Sequence, residues 1–333
     1  MSESTPTSSR RAALIGLGRV ALAGVIWGTI PLVIRAVDGA SIIKVFYRVL
    51  FAEIALLSYL FATKRLGEIT SLPRGKLLQV GIQGIVLTLN WVFFLSALDL
   101  TNVATVELLG FTGPVFIAAF APYVTGERFD ARILVPLGLA LGGIVVILVP
   151  QGIGVRDHQQ AIGAVLALLS AITFATLLLR SKKILRGISG MALMVIEYAV
   201  AGIVLLPFVV VLYSRGQGPT NAGSYAALAV LGVVHTALAG VIFLGGLRAA
   251  RTDHAAVLTY TEPVAAVLFA AAFLGEALTA WTLAGGAMVV AGGLWVTRML
   301  PSAEQGPMTL EAAGLPPEPF ESPGSEPEPE QMR

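Results

Sequence analysis

Apolar residues fall in ten long runs along this chain, and the short segments between the runs hold most of its charged residues. A helix needs about 20 apolar residues to cross a bilayer, and each run is close to that length. Because lipid offers no partner to an unpaired backbone group, we expect the runs to be helices. The predicted spans are residues 18–37, 42–62, 77–97, 103–125, 132–150, 160–180, 190–213, 223–247, 254–274 and 279–299.

The fourth and ninth runs carry the same motif. The fourth reads FTGPVFIAAFAPYVTGERF, and the ninth reads YTEPVAAVLFAAAFLGEAL. A shift of 149 residues places Pro114 on Pro263 and Glu127 on Glu276. The motif therefore indicates an internal repeat with five spans in each half.

Two repeats of five spans predict an inverted architecture. An odd number of spans reverses direction, so residues 18–150 and residues 160–299 are expected to have opposite orientations in the membrane. Inverted repeats occur in secondary transporters, whose substrate sites lie near the midplane between the halves. The predicted fold is an all-α polytopic membrane protein of ten transmembrane helices. We expect residues 1–17 to form a cytoplasmic segment and residues 300–333 an acidic, proline-rich, disordered cytoplasmic tail.

Composition and charge also favour a membrane protein. Hydrophobic residues make up 56% of the 333 residues and charged residues 13%, about half the charged share of a soluble protein. Lys and Arg concentrate in alternate loops, and the opposite loops hold only Arg35, Lys44, Arg156 and Arg215. The positive-inside rule then places both termini in the cytoplasm. Because arginine outnumbers lysine and alanine and glycine are abundant, we expect a bacterial cytoplasmic membrane.

Pro114 and Pro263 lie near the middle of equivalent spans. Proline removes a helix hydrogen bond, and in a membrane the freed carbonyl group must be covered by protein or face a cavity. Paired breaks of this kind indicate the transport path, and kinks that improve packing are the alternative. Glu127 and Glu276 end these spans at the membrane surface, where we expect them to cap or position the next loop.

Ionisable and polar residues inside the apolar runs are the candidates for a substrate site, because charge at membrane depth is costly. Glu262, beside Pro263, is the first choice. Its carboxylate can bind an ammonium group or carry a proton, and the alternative is a structural carboxylate held by Arg48 or by freed backbone groups. The other candidates for substrate binding are Tyr260, Glu107, Glu197, Asn90, Trp27 and His235.

Each of these other candidates also has an interpretation without substrate. Asn90 and His235 can hydrogen-bond a neighbouring helix, aromatic rings at helical spacing can simply pack, and Glu107 can be a charge in the vestibule. Glu53 is a further carboxylate within a span, although its helix can be peripheral. His254 is expected to lie near water.

With these motifs the chain resembles the EamA type of the drug/metabolite transporter superfamily. The similarity rests on the T-x-P-V…G-E segment of both halves, on WGTIPLVIR in the first span and on FYRVLFAE in the second. It covers about residues 18–299, and the sixth span departs from the pattern at Phe174 and Ala175. The resemblance implies a ten-helix carrier of small metabolites and does not indicate which metabolite.

The sequence therefore predicts a secondary transporter that works by alternating access. Its substrate would be a small metabolite such as an amino acid, moved outward, with protons as a candidate coupling ion. A receptor or scaffold and a membrane-embedded transferase are the alternatives, but the loops are short and the carboxylate cluster that magnesium and phosphate would need is missing. We expect no catalytic residue, no metal, no cofactor and no nucleic-acid partner, and a homodimer is left open.

Overall fold

The computed structural model describes residues 6–152, 154–275 and 277–299. Ten helical segments in these ranges are long and apolar enough to cross a membrane, as the pattern of apolar runs predicts. The predicted acidic tail and Glu276 lie outside the described residues. The protein is therefore an all-helical, multi-pass membrane protein over the ranges described.

We number the spans α1 to α10 and add letters where a span is broken. They are α1a Pro6–Trp27, α1b Ile30–Ile34, α2 Ser41–Ala62, α3 Arg74–Leu100, α4a Val103–Gly110, α4b Gly113–Thr125, α5 Leu134–Leu148, α6 His158–Ile184, α7 Gly190–Ser214, α8 Ala222–Ala249, α9a Thr252–Leu258, α9b Thr261–Leu274 and α10 Ala280–Arg298. Within α8, the segment Leu231–Leu238 is a π-helix. The first helix begins at Pro6 rather than near residue 18, and Arg10 to Leu14 in this extension are good helix formers.

The most extensive helix contacts pair spans from the two halves. α5 packs on α10, α3 on α6 and α7, α2 on α7 and α8, α1a on α8 and α9, and α4 on α6. The predicted repeat equates α1 with α6, α2 with α7, and so on to α5 with α10. When equivalent spans are exchanged in these pairs, the same set of pairs results. The packing is therefore consistent with the predicted inverted repeat.

Glycines allow α5 and α10 to cross at short range. A Cβ atom on Gly143 would lie 2.5 Å from the carbonyl oxygen of Gly285, and a Cβ atom on Gly285 would lie 2.4 Å from that of Gly143. Both distances are too short for a real Cβ atom. Since lipid is as apolar as a leucine side chain, helices in a membrane associate through such close packing rather than through the hydrophobic effect.

Gly143→Ala is expected to lower the thermal stability of the protein in detergent. The new methyl group would meet a backbone oxygen, so α5 and α10 must separate, at a cost of about 1–3 kcal/mol. Gly138→Ala in the same helix is the matched control, because a Cβ atom there meets nothing within 4 Å. Melting curves of the two variants should differ, and equal melting temperatures would contradict the close crossing.

The fourth and ninth spans are broken where the sequence predicts. Two residues separate α4a from α4b, and α4b carries Pro114 in its first turn. In the ninth span, α9b carries Pro263 in its first turn. A proline fits the first turn of a helix because the N–H group that it lacks would be unpaired there. Each proline therefore starts a half-helix near the middle of its span.

Polar contacts join the loop after α1b to the start of α8. Asp38 accepts hydrogen bonds from the hydroxyl groups of Ser224 and Thr220. These bonds favour the ionised carboxylate and hold the pKa of Asp38 at about 2, below its usual value. Beside them, the hydroxyl of Tyr213 of α7 donates to Tyr47 of α2 at 2.8 Å, and the ring of Tyr225 of α8 lies 5.3 Å from that of Tyr47. This end of α8, which leads into the π-helical segment, is thus tied to both α1 and α2.

Candidate functional site

The breaks in α4 and α9 meet each other inside the protein. Tyr260, in the α9 break, donates a hydrogen bond of 2.7 Å to the carbonyl oxygen of Phe111, in the α4 break, and the two rings lie 6.0 Å apart. Phe111 and Tyr260 are equivalent positions of the predicted repeat, 149 residues apart. Tyr260 is completely buried. In this conformation it therefore covers a carbonyl group of the α4 break.

Glu262 lies beside this junction, in the first turn of α9b, and is half-buried. A negative side chain is favourable at the start of a helix because of the helix dipole. Arg48 of α2 and Glu107 of α4a both act on its carboxylate electrostatically. Three helices thus bring two carboxylates and one guanidinium group into one region at the breaks.

Arg48 is the cation of this region. Its Nε donates to Thr236 Oγ1 at 2.5 Å, and its guanidinium carbon lies 5.7 Å from the ring centre of Trp91. Trp91 stacks on Tyr198 with ring centres 6.3 Å apart. A guanidinium group has five N–H donors in a planar fork. The bond to Thr236 therefore leaves donors on Arg48 for a ligand.

The π-helical segment of α8 places Thr236 against Arg48. Thr236 Oγ1 donates to the carbonyl oxygen of Leu231 at 2.9 Å, five residues earlier. A Cβ atom on Gly232 would lie 2.8 Å from the carbonyl oxygen of Arg48, so α2 and α8 touch there. π-Helical segments are rare in proteins, but those that occur are often found at functional sites. Thr236 is not among the candidates that the sequence predicts, although a His-Thr pair within a long apolar run is a signal that points to it.

Trp27 and His235 connect α1 to α8. Trp27 Nε1 donates to the carbonyl oxygen of His235 at 2.7 Å, and His235 Nε2 lies 2.8 Å from Thr29 Oγ1. His235 is 3% exposed, and its Nδ1 lies 3.3 Å from the carbonyl oxygen of Val230. Both ring nitrogens thus have protein partners, which favours the structural role for His235. Trp27 is half-buried and its ring lies 5.2 Å from that of Phe243.

Asn90 and Glu197 lie at the contacts of α3 with α6 and α7. Asn90 Nδ2 donates to the carbonyl oxygen of Ser170 at 2.7 Å and so bridges α3 and α6. Glu197 of α7 is buried, and a Cβ atom on Gly84 of α3 would lie 3.0 Å from its carbonyl oxygen. Its Oε1 has no hydrogen-bond partner within the described ranges. The structure therefore favours helix bridging for Asn90.

A polar network closes the end of the protein where α4 ends and α9 begins. Glu127 accepts hydrogen bonds from Thr252 N at 2.9 Å and from Thr252 Oγ1 at 2.8 Å. Arg251 donates to the carbonyl oxygen of Arg128 at 2.9 Å and pairs with Asp253, whose carboxylate raises the pKa of Arg251. Glu127 thus caps the start of α9a, a helix of the opposite half. Glu276, which is the equivalent residue of the second repeat, lies outside the described residues.

Two further cations strengthen this end. Lys182 of α6 donates to the carbonyl oxygens of Leu247 at 2.8 Å and Ala250 at 2.5 Å, and Arg186 donates to that of Thr125 at 2.6 Å. The contacts fix the ends of α4, α6 and α8 to one another. We call Glu127, Thr252, Arg251, Lys182 and Arg186 the closing network.

The opposite end is less closely joined. α9a packs extensively on α4b, whereas α4a and α9b form no comparable contact within the described residues. The expectation that His254 lies near water is wrong: His254 is 2% exposed, and its Nε2 lies 4.0 Å from Asp253. The reason is that every residue of α9a is buried. The charged region at the breaks is therefore covered on the side of the closing network.

The described residues combine ten apolar helices with charged side chains at paired helix breaks, an arrangement that is typical of membrane transporters. The chain belongs to the EamA-like transporter family, which matches residues 14–149 and 161–298. The resemblance inferred from the repeated motif is thereby confirmed. Membership implies a small-molecule substrate and a lipid environment.

Two relatives align with most of this chain. An uncharacterized transporter of Archaeoglobus fulgidus is 27% identical over 282 residues, which cover 85% of this chain and 96% of that protein. Protein RarD of Streptomyces exfoliatus is 27% identical and covers 91% of this chain and 94% of its own length. A crystal structure that is 20% identical superposes with a TM-score of 0.74 and covers 87% of this chain and 99% of that chain. This last similarity supports the fold alone.

Proposed function

We propose that the protein is a secondary transporter that exports an amino acid or a related zwitterionic metabolite across the bacterial cytoplasmic membrane by alternating access. The observation that carries the proposal is the placement of Arg48 and Glu262 in one half-buried region at the helix breaks. A zwitterion needs one cation and one carboxylate in the site. Arg48 and Glu262 meet that requirement from opposite halves of the chain.

The chemistry of the two groups suits the two ends of such a substrate. The planar fork of Arg48 matches a carboxylate better than a lysine would, and Thr236 and Trp91 orient it. The Glu262 carboxylate accepts hydrogen bonds from an ammonium group. The half-buried rings of Trp27 and Trp91 are the proposed contacts for the body of the substrate.

Glu107 supports coupling to protons. Together with Glu262 it gives the site one more carboxylate than Arg48 neutralises. A proton and the ammonium group of a substrate would compete for these carboxylates, so that binding of one displaces the other. That competition exchanges an outgoing substrate for an incoming proton.

The closing network is proposed as the cytoplasmic gate. The positive-inside pattern assigns this end to the cytoplasm, and the contacts of Glu127 join α4b to α9a there. Export then requires the network to open, admit substrate and close again while the opposite end releases it. The conformation described here corresponds to a state closed toward the cytoplasm.

Glu127→Ala is expected to open the cytoplasmic end more often. Removing the carboxylate leaves Thr252 N and Oγ1 without their acceptor and loosens α9a. The chain has no cysteine, so Ala256→Cys, a completely buried position of α9a, reports the opening through its rate of reaction with a polar thiol reagent. Labelling should be severalfold faster when Glu127→Ala is added.

Arg132→Ala is the control for this measurement. Arg132 lies near the same end but pairs with Asp130 at the surface, where its side chain is 79% exposed. It should leave the labelling rate unchanged. If Glu127→Ala and Arg132→Ala behave alike, Glu127 does not hold the gate closed.

The proposed function is tested by measuring small molecules inside and outside cells that express the protein, followed by transport into proteoliposomes. We expect an amino-acid-type metabolite to leave the cell only when the protein is present. The matching amine without a carboxylate and the matching acid without an amine should be poor substrates. Efficient transport of the amine or of the acid would contradict binding of the substrate at two charged ends. If the protein inserts well but moves no metabolite, the alternative function as a scaffold is favoured.

A further inference from the structure

A cavity lies between α2 and α7. It has a volume of about 320 Å³ and is lined mainly by apolar side chains, among them Phe46, Leu50 and Ile203. Leu50 is 37% exposed and Ile203 71% exposed. In a membrane span, exposed side chains of this kind face lipid. The cavity, which we call the lateral crevice, therefore opens toward the bilayer.

The lateral crevice contains one carboxylate. Glu53 lies in it, close to the middle of α2 and hence near the centre of the membrane. Its Oε2 is fully buried and has no hydrogen-bond partner in the part of the chain that the structure describes. A buried carboxylate oxygen without a partner is costly. The position of Glu53 thus points to a partner from outside the chain.

The nearby cation on the same helix is directed elsewhere. Arg48 precedes Glu53 by five residues, donates to Thr236 and lies over Trp91. It belongs to the charged region at the helix breaks. Tyr198 separates the two places, because it lines the lateral crevice and also stacks on Trp91.

We propose that the lateral crevice binds a compound with a protonated amine on an apolar body, which reaches the site through the bilayer. The ammonium group donates hydrogen bonds to Glu53, and the apolar body packs between α2 and α7. The volume is at the lower end of the range for drug-sized ligands. The headgroup of a membrane lipid does not fit, because it lies at the membrane surface rather than at the depth of Glu53. This site and its ligand class are distinct from the zwitterion site at the breaks.

The test uses the full-length protein in lipid nanodiscs and a dansylated alkylamine as the probe. Glu53→Gln is expected to weaken probe binding roughly tenfold or more, since the hydrogen bonds to a charged group are lost. The corresponding dansylated alcohol, which has no charge, should bind weakly to both proteins. Glu262→Gln should keep the affinity for the amine, which separates this proposal from the one for the central site.

A second variant keeps the carboxylate of Glu53 and fills the lateral crevice with a side chain. Gly202 of α7 lines the crevice, and a Cβ atom there meets nothing within 4 Å, so Gly202→Phe is expected to fold and to block the probe. Equal affinity of the unaltered protein, Glu53→Gln and Gly202→Phe for the amine would overturn the proposal. Leu206→Cys tests whether a second copy of the chain covers the crevice. A disulfide between two chains that forms in high yield and excludes the probe would also overturn the proposal.

Discussion

Glu262→Gln is expected to abolish transport while the protein still inserts into the membrane. The amide keeps the size of the side chain, but it cannot pair with an ammonium group or exchange a proton. Loss of a hydrogen-bonded charge in a buried site corresponds to roughly a 100-fold loss of rate at low substrate concentration. The measurement is efflux or counterflow of the identified substrate in proteoliposomes, normalised to the amount of folded protein.

Glu53→Gln is the matched control for this result. It makes the same change at a similar depth, but in the lateral crevice rather than beside Arg48. Transport of the zwitterion should continue in that variant. Normal transport by Glu262→Gln would remove Glu262 from the substrate site, whereas loss of transport in both variants would point to a general effect of carboxylates on folding or insertion.

Arg48→Lys should be almost as damaging, although the positive charge is kept. Lysine lacks the planar fork that matches a carboxylate, and an ammonium group cannot donate to Thr236 and lie over Trp91 in the same way. We expect roughly a 100-fold loss of transport, seen mainly as weaker substrate binding. Arg215→Lys, in a loop at the opposite end from the closing network, should transport normally.

Competition experiments separate the roles of the two charged residues. An acid that lacks the amino group should still inhibit Glu262→Gln but should inhibit Arg48→Lys poorly. An amine that lacks the carboxylate should show the reverse pattern. If both analogues lose affinity for both variants, the residues form a structural ion pair and do not bind opposite ends of a zwitterion.

The helices and their breaks could be predicted because lipid restricts what a chain can do. Every backbone group within the bilayer must be paired, so each apolar run of sufficient length becomes a helix. Pro114 and Pro263 cannot continue a helix hydrogen-bond pattern, and each lies in the first turn of a new half-helix in the structure. These are local constraints, and they act on residues that are neighbours in the sequence.

The candidate site could be predicted only in part. The cost of charge at membrane depth identified Glu262, Glu107 and Arg48, and the structure brings these three together. The same reasoning could not separate them from Asn90 and His235, because a polar side chain that bridges helices looks the same in the sequence as one that faces a cavity. The hydrogen bond of Asn90 to Ser170 and the contact of His235 with Thr29 favour the bridging role for these two residues.

The sequence by itself determined the class of protein: ten membrane spans, a motif that occurs twice, and breaks at equivalent prolines. Only the tertiary structure decided that Thr236 holds Arg48, that Tyr260 covers the break at Phe111, and that Glu127 caps a helix of the other half. It also buried His254, which the sequence suggested was near water. The physical reason is that helix formation in lipid depends on local composition, whereas these contacts join residues more than a hundred positions apart and depend on how the helices pack.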